Sequence, residues 1–427
     1  MKRILILFTL LLVNGCANMD LTKKYSESDI YISRYDNGQK KAEGTLFNGK
    51  LEGKVRSWYE SGEKLSEENY RNGLRHGLTL RWYETGQKKL QIEYVNDKAE
   101  GYSVSWHENG YRKVEETYKN DLREGEATVW YKNGKKSSLS HYVKGKLNGV
   151  AYFWYENGQR EEVSRYVGDI LVGVSTTWHP NGRKNIERVF KNGKLEGEVI
   201  VWHENGQKKE VSYYTNGVVE GPSTRWHSKG YKEVERVFKN GKLDGLVVLW
   251  HENGKREKSF YAMGKQSGPM VILRADGTKE KEISYINGLA EGPVVVWHEN
   301  GKKSFQATYK KGRLDGIAKY WYFSGNKQLE NFYKDGKLYG VGTHWYDLGG
   351  VKQKQQTHYI NGLANGESIL WYENGRQKAK FMTERGKKHG PATFWHSNGK
   401  KQEETHFVDG KKVGPTIFWD ITGVRVN

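Results

Sequence analysis

Seven histidines in this chain directly follow a tryptophan: His107, His179, His203, His227, His251, His298 and His396. Imidazoles in register invite a metal site, but their spacing opposes one. The nearest of them are 24 residues apart. If that interval holds two strands, equivalent positions stand roughly 9–10 Å apart. Zinc needs its ligands within about 2 Å, so neighbouring histidines do not share an ion. Tyr occupies the same place after seven other tryptophans, as at Tyr59 and Tyr131, which suits a planar, half-polar surface residue. The Glu of His-Glu-Asn-Gly could serve as a general base. It recurs at so many places, however, that no single one stands out. Ser-His-Asp and Cys-His constellations are not identifiable. The glycine spacings open no helix and so build no phosphate loop. The expectation is a protein with no catalytic residues, no metal and no cofactor.

One residue does promise covalent chemistry. Cys16, the single cysteine, follows a basic start (Lys2, Arg3), an apolar run from Ile4 to Val13, and Asn14-Gly15. A run of about ten is too short to span a bilayer and reads as a secretory signal. The layout resembles a bacterial lipobox, in which the cysteine is lipidated and becomes the mature N-terminus. This divides the chain into a signal peptide over 1–15, a lipidated N-terminus and polar tether over 16–29, and the remainder. Ala17, where Asp would retain a lipoprotein at the inner membrane, slightly favours the outer membrane of the cell envelope.

The remainder, 30–427, is a lattice. Trp58 to Trp250 recur every 24 residues, Leu273 follows after a one-residue deletion, and Trp297 to Trp419 continue with a two-residue insertion before Trp371. Gly recurs near +4, +15 and +19 from each position, as Gly206, Gly217 and Gly221 do for Trp202. About 17 copies result, and a fixed period of this length marks a repeat array whose units pack on their neighbours.

Gly77 to Gly101 shows what a copy builds. Leu78, Leu80 and Trp82 alternate with Thr79, Arg81 and Tyr83, and Leu90, Ile92 and Tyr94 with Lys89, Gln91 and Glu93. Period-two alternation over short runs predicts strands. A three-residue loop ending in a left-handed Gly would place all six apolar residues on one face. The second connection, Asn192 to Gly197, reads as longer. The predicted fold is an all-β, elongated, single-layer antiparallel meander of tandem 24-residue hairpins, with a Trp row and a Tyr/Phe row on one face. Cross-strand aromatic contacts stabilise a thin sheet, and a long apolar stripe marks a partner surface. The candidate binding face is Trp106, Trp130, Trp154, Trp178, Trp202, Trp226, Trp250, Tyr118, Tyr142 and Tyr214.

The net charge of +19 and the turn lysines point to an anionic partner. Basic grooves with stacked aromatics also bind single-stranded nucleic acid, but export argues against that. The unit G-x-V-x-V-W-[YH]-E-N-G-x-K-K-x-x-x-x-Y-x-N-G-K-x-x-G, seen best from Gly197 to Gly221, closely resembles the MORN-repeat variant of bacterial YwqK-type antitoxin proteins. That resemblance implies a β-hairpin array for protein or lipid contact, sometimes paired with a toxin, and no catalytic residues. The expected function is a membrane-anchored, non-enzymatic scaffold for a protein or an anionic lipid or polysaccharide of the envelope. The alternative is an immunity protein that neutralises a cognate toxin.

Overall fold

The computed structural model describes residues 28–348 and 352–426, and the signal-peptide and Cys16 assignments lie outside them. The described residues form strands and turns and no helix. They fall into two compact units. The first runs to Val172 and includes Pro180–Gly182; the second comprises Gly173–His179 and everything from Arg183. In the first, strands run antiparallel from Asp29–Arg34 to Arg160–Val167. In the second they run from Lys184–Lys191 to Lys411–Phe418. Substantial packing joins only strands that are neighbours in the chain, so each unit is a single-layered meander.

The Trp202 copy in the second unit shows how the sequence dictates this. Its outgoing strand, Lys194–Trp202, ends at the lattice Trp, and its return strand is Lys208–Thr215. His203 N–H donates to the Gln207 carbonyl at 2.9 Å and Gly206 N–H to the His203 carbonyl at 2.8 Å. Glu204, Asn205 and Gly206 therefore form the expected three-residue loop, closed by Gly206 at φ 90°, a conformation glycine adopts without steric cost. The other connection is tighter than the sequence suggested. Asn192 and Gly193 both have positive φ, 51° and 77°, and join the paired residues Lys191 and Lys194. That is a two-residue primed turn matched to the strand twist. What looked like a longer loop is a bulge, since Phe190 pairs with Leu195 but Arg188 with Val199. Five of the six prolines follow the bulge glycine. Pro222, for example, lies opposite the register shift between Ser212 and Tyr214, where no ladder donor is required.

The face assignment is where structure and sequence part. Trp82 pairs with Lys88, but Arg81 pairs with Leu90, so one residue, Lys89, is extra. Such a bulge flips every later side chain of the return strand. Leu78 and Leu80 pair with Glu93 and Gln91 on one face, while Leu90, Ile92 and Tyr94 pair with Arg81, Thr79 and Gly77 on the other. The Trp row and the Tyr/Phe row therefore occupy opposite faces, which corrects the expectation of one aromatic face.

The core lies on the Tyr face and is built of small residues. Thr79 and Ala318 are 0% exposed, and Ala151 and Ser175 nearly so. In the second unit Ile283, Val294, Ala307 and Ala318 form one buried cluster, flanked by Tyr285, Tyr309, Phe305 and Tyr320. In a single layer only small central side chains let the flanking rings close over them. Phe305 and Tyr320 meet with ring centroids 4.7 Å apart, within the range of favourable aromatic pairs.

Candidate interaction surfaces

The repeated polar residues bind one copy to the next. In most copies the residue after the Trp reaches the following Trp carbonyl: Tyr131 Oη donates to Trp154 O at 2.7 Å, and His203 Nε2 to Trp226 O at 2.9 Å. His and Tyr interchange because each supplies a donor at the same reach from a flat ring. Donation fixes the proton of these histidines on Nε2. Asn205 of the loop donates through Nδ2 to the Ser228 carbonyl at 2.6 Å and accepts from Gln207 N at 3.0 Å. At the opposite margin, Glu196 Oε2 accepts from Asn216 N at 2.8 Å. Glu196, Asn205 and His203 thus all stitch neighbouring copies. The sequence exposed their period but not this role, because each partner is a backbone group about 20 residues away.

Several tryptophans are roofed by a lysine. Lys184 Nζ lies 5.4 Å from the Trp202 ring centroid and 2.6 Å from Glu187. Lys279 repeats this over Trp297 at 5.7 Å, with Glu282 at 2.8 Å. An ammonium over an indole is attracted by the ring's negative face, so Trp202 and Trp297 act as packing elements between copies. The same surface carries Glu67, whose carboxyl is held down at about 2 by hydrogen bonds from Lys54 and Lys64.

Of the ten candidate residues, Trp106, Trp130 and Trp154 share one face of the first unit, and Trp178, Trp202, Trp226 and Trp250 the corresponding face of the second. Tyr118, Tyr142 and Tyr214 lie on the opposite face of their own units, in contact with inner-face residues. Tyr118 Oη donates to Glu116 at 2.8 Å, and burial, aided by the Glu116 charge, pushes this phenol up to about 12. Arg123 stands 5.3 Å above the Tyr142 ring, and Tyr214 pairs with Gly197 and Val219. The candidate set is therefore split between faces.

More exposed apolar side chains lie elsewhere on the Trp face, near its primed-turn margin. In the second unit the pairs Leu246–Phe260 and Ile317–Phe332 sit directly across from each other. Ile317 is 49% exposed and Val174 is 56% exposed, and Tyr213, Val237 and Met382 are also open. The unforeseen bulge hid this band, because the sequence pattern assigned its two contributing positions to different faces.

The Trp226 copy departs from the usual loop. At the Trp226 copy the loop reads His227-Ser228-Lys229-Gly230-Tyr231 in place of His-Glu-Asn-Gly. His227 stacks on Tyr231, centroids 4.7 Å apart and planes 10° apart. Its Nδ1 accepts from Lys229 N at 3.1 Å, and its Nε2 lies 4.0 Å from Glu252. Tyr231 Oη donates to Glu252 Oε1 at 3.2 Å. Lys229, Tyr231, Lys232, Trp250, His251 and Glu252 line an open cleft of about 640 Å³.

No curated protein matches the chain. Among solved structures, the crystal structure of TcdB2-TccC3-Cdc42 shares 10% identity at a TM-score of 0.17, over 91% of this chain and 26% of that one. TcdB2-TccC3-TEV gives 10%, 0.16, 93% and 27%. The chain spans about a quarter of the length of both, and neither similarity carries an argument about this protein. Eight segments match the family described as MORN repeat variant: residues 51–72, 75–96, 123–144, 147–167, 195–216, 290–311, 314–335 and 388–409. Each begins in an outgoing strand, passes through the lattice Trp and ends at the primed turn of the next connection. The protein is an all-β repeat protein, eight segments of which are similar to the MORN repeat variant.

Proposed function

We propose that this protein is a non-enzymatic scaffold, tethered to the bacterial cell envelope by a lipid on Cys16, that holds a protein partner against the Trp-bearing face. The observation that carries this reading is the exposed apolar band at Val174, Leu246, Phe260, Ile317 and Phe332. Soluble surfaces rarely keep such rows open, and contiguous apolar patches mark partner sites. The periodic polar residues meanwhile are engaged between copies, as the His203, Asn205 and Glu196 bonds illustrate. An anionic envelope component is the second ligand class of this reading, favoured by the +19 charge. It would add a salt-sensitive contribution to binding.

The test is crosslinking and pull-down of the full chain from native membranes, with Ile317→Glu/Phe332→Glu as the comparison. Loss of a defined set of envelope proteins in the double variant supports the scaffold. Recovery of one stoichiometric toxin-like partner, encoded beside this gene, replaces the scaffold with the immunity reading. Cys16→Ser should move the protein from the membrane to the soluble fraction, and retention in the membrane would remove the anchor from the proposal.

A further inference from the structure

We propose that the cleft between the Trp226 and Trp250 loops binds an acidic sugar, a pyranose ring bearing a single carboxylate. Two loop residues differ here from a regular copy, Ser228 for Glu and Lys229 for Asn. In a regular copy the loop Asn ties adjacent loops together, as Asn205 does by donating to Ser228 O at 2.6 Å. At the Trp226 copy that residue is Lys229, which makes no such bond among the described residues. The 640 Å³ cleft is lined by residues of both loops.

The lining supplies what a sugar acid needs. Tyr231 is 37% exposed and is held from behind by the stacked His227 ring. Polarised sugar C–H groups pack on the electron-rich face of such a ring. The Lys229 ammonium has no ion pair among the described residues, so its charge can meet a carboxylate at full strength. Lys232 is different, being bound to Glu235 and lying 5.7 Å from the Trp250 centroid. Glu252 points outward, its side chain 81% exposed. Among the described residues its oxygens accept one hydrogen bond, from Tyr231, which leaves acceptor capacity for neighbouring hydroxyls.

The charges select the ligand class. With Lys232 compensated by Glu235, the cleft presents one cation, Lys229, and one anion, Glu252. A polyphosphate would meet the Glu252 carboxylate and be repelled. A ligand with one negative charge and several O–H donors satisfies both side chains at once. Purine nucleotides can stack on Tyr231 but carry too much charge for this balance.

The test is isothermal titration of the full chain with methyl β-glucuronide, beside the neutral methyl β-glucoside and uridine monophosphate. Binding on the order of millimolar is expected for the glucuronide, about tenfold tighter than for the glucoside. Lys229→Asn restores the residue of regular copies, so it keeps the fold. It should abolish glucuronide binding with an unchanged melting curve, and Tyr231→Ala should weaken it. Tighter binding of tetragalacturonate than of the monosaccharide would identify a polymer as the source, and equal binding a free sugar. Undiminished glucuronide binding by Lys229→Asn, no saturable binding by the native chain, or a preference for uridine monophosphate would each overturn the assignment.

Discussion

The Trp202 copy and the Trp250 copy belong to the same unit and differ by one residue. In the first, Trp202 pairs with Lys208 and Val201 with Glu210, leaving Lys209 as a bulge. In the second, Trp250 pairs with Arg256 and Leu249 with Glu257, and no bulge exists. The 23-residue step from Trp250 to Leu273 has lost the bulge residue. Beyond that point the inner face is the same, with Ser212 and Ser259 both buried and each return strand meeting the next outgoing strand in the usual register. The comparison teaches that the array conserves which face a residue takes, while the backbone length between Trp and that face can vary. The 26-residue step after Trp345 agrees. Trp345 pairs with Gln353 and Tyr346 N–H donates to the Lys352 carbonyl, so the two extra residues sit in the loop.

The largest effect is expected where that rule is broken. Deleting Ser212 inverts the side chains on one side of the gap in a strand that packs on both neighbours. Native-state hydrogen exchange should show the surrounding copies unprotected. Deleting Lys209 imitates the Trp250 copy and should leave protection in place. Similar loss in both variants would contradict the account of the bulge. Next in size, Ala318→Leu forces a large side chain into a fully buried site and should cost about 1–3 kcal/mol in denaturant unfolding. The same exchange at exposed Ala275 should cost little.

Smaller effects probe the stitching between copies. His203→Phe keeps a flat ring but leaves Trp226 O without its donor, at a cost of about 1 kcal/mol. His203→Tyr, the residue of other copies, should be nearly neutral, and equal costs would show that the ring alone matters. The smallest effect is electrostatic. Glu67 titrates at about 2 when folded, below its ordinary 4.5. The folded state therefore favours the ionised carboxylate, and this contribution is present above pH 4.5 and lost as the pH falls toward 2. NMR titration of the Glu67 carboxyl checks the shift, and Lys64→Ala together with Lys54→Ala should return it toward 4.5.

The period, the strands and the three-residue loop after the lattice Trp were legible in the sequence, whereas the second connection read as longer than the two-residue turn it is. Alternation within a strand is a local property, and a left-handed glycine such as Gly206 announces its turn because few other residues take that backbone, whereas the bulge beside Asn192-Gly193 has no local signature. The sequence also located the exceptional copies, since a missing residue or a missing Trp is visible without coordinates. Only the tertiary structure decided which face each strand shows. Face parity passes from one strand to the next through every residue of the connection, and a single bulged residue such as Lys89 inverts it while leaving the alternation on both sides intact. For the same reason Trp106 and Tyr118 looked like companions and proved to lie on opposite faces. The roles of His203 and Asn205 were equally hidden, because their partners are backbone carbonyls, and a carbonyl has no signature in a sequence.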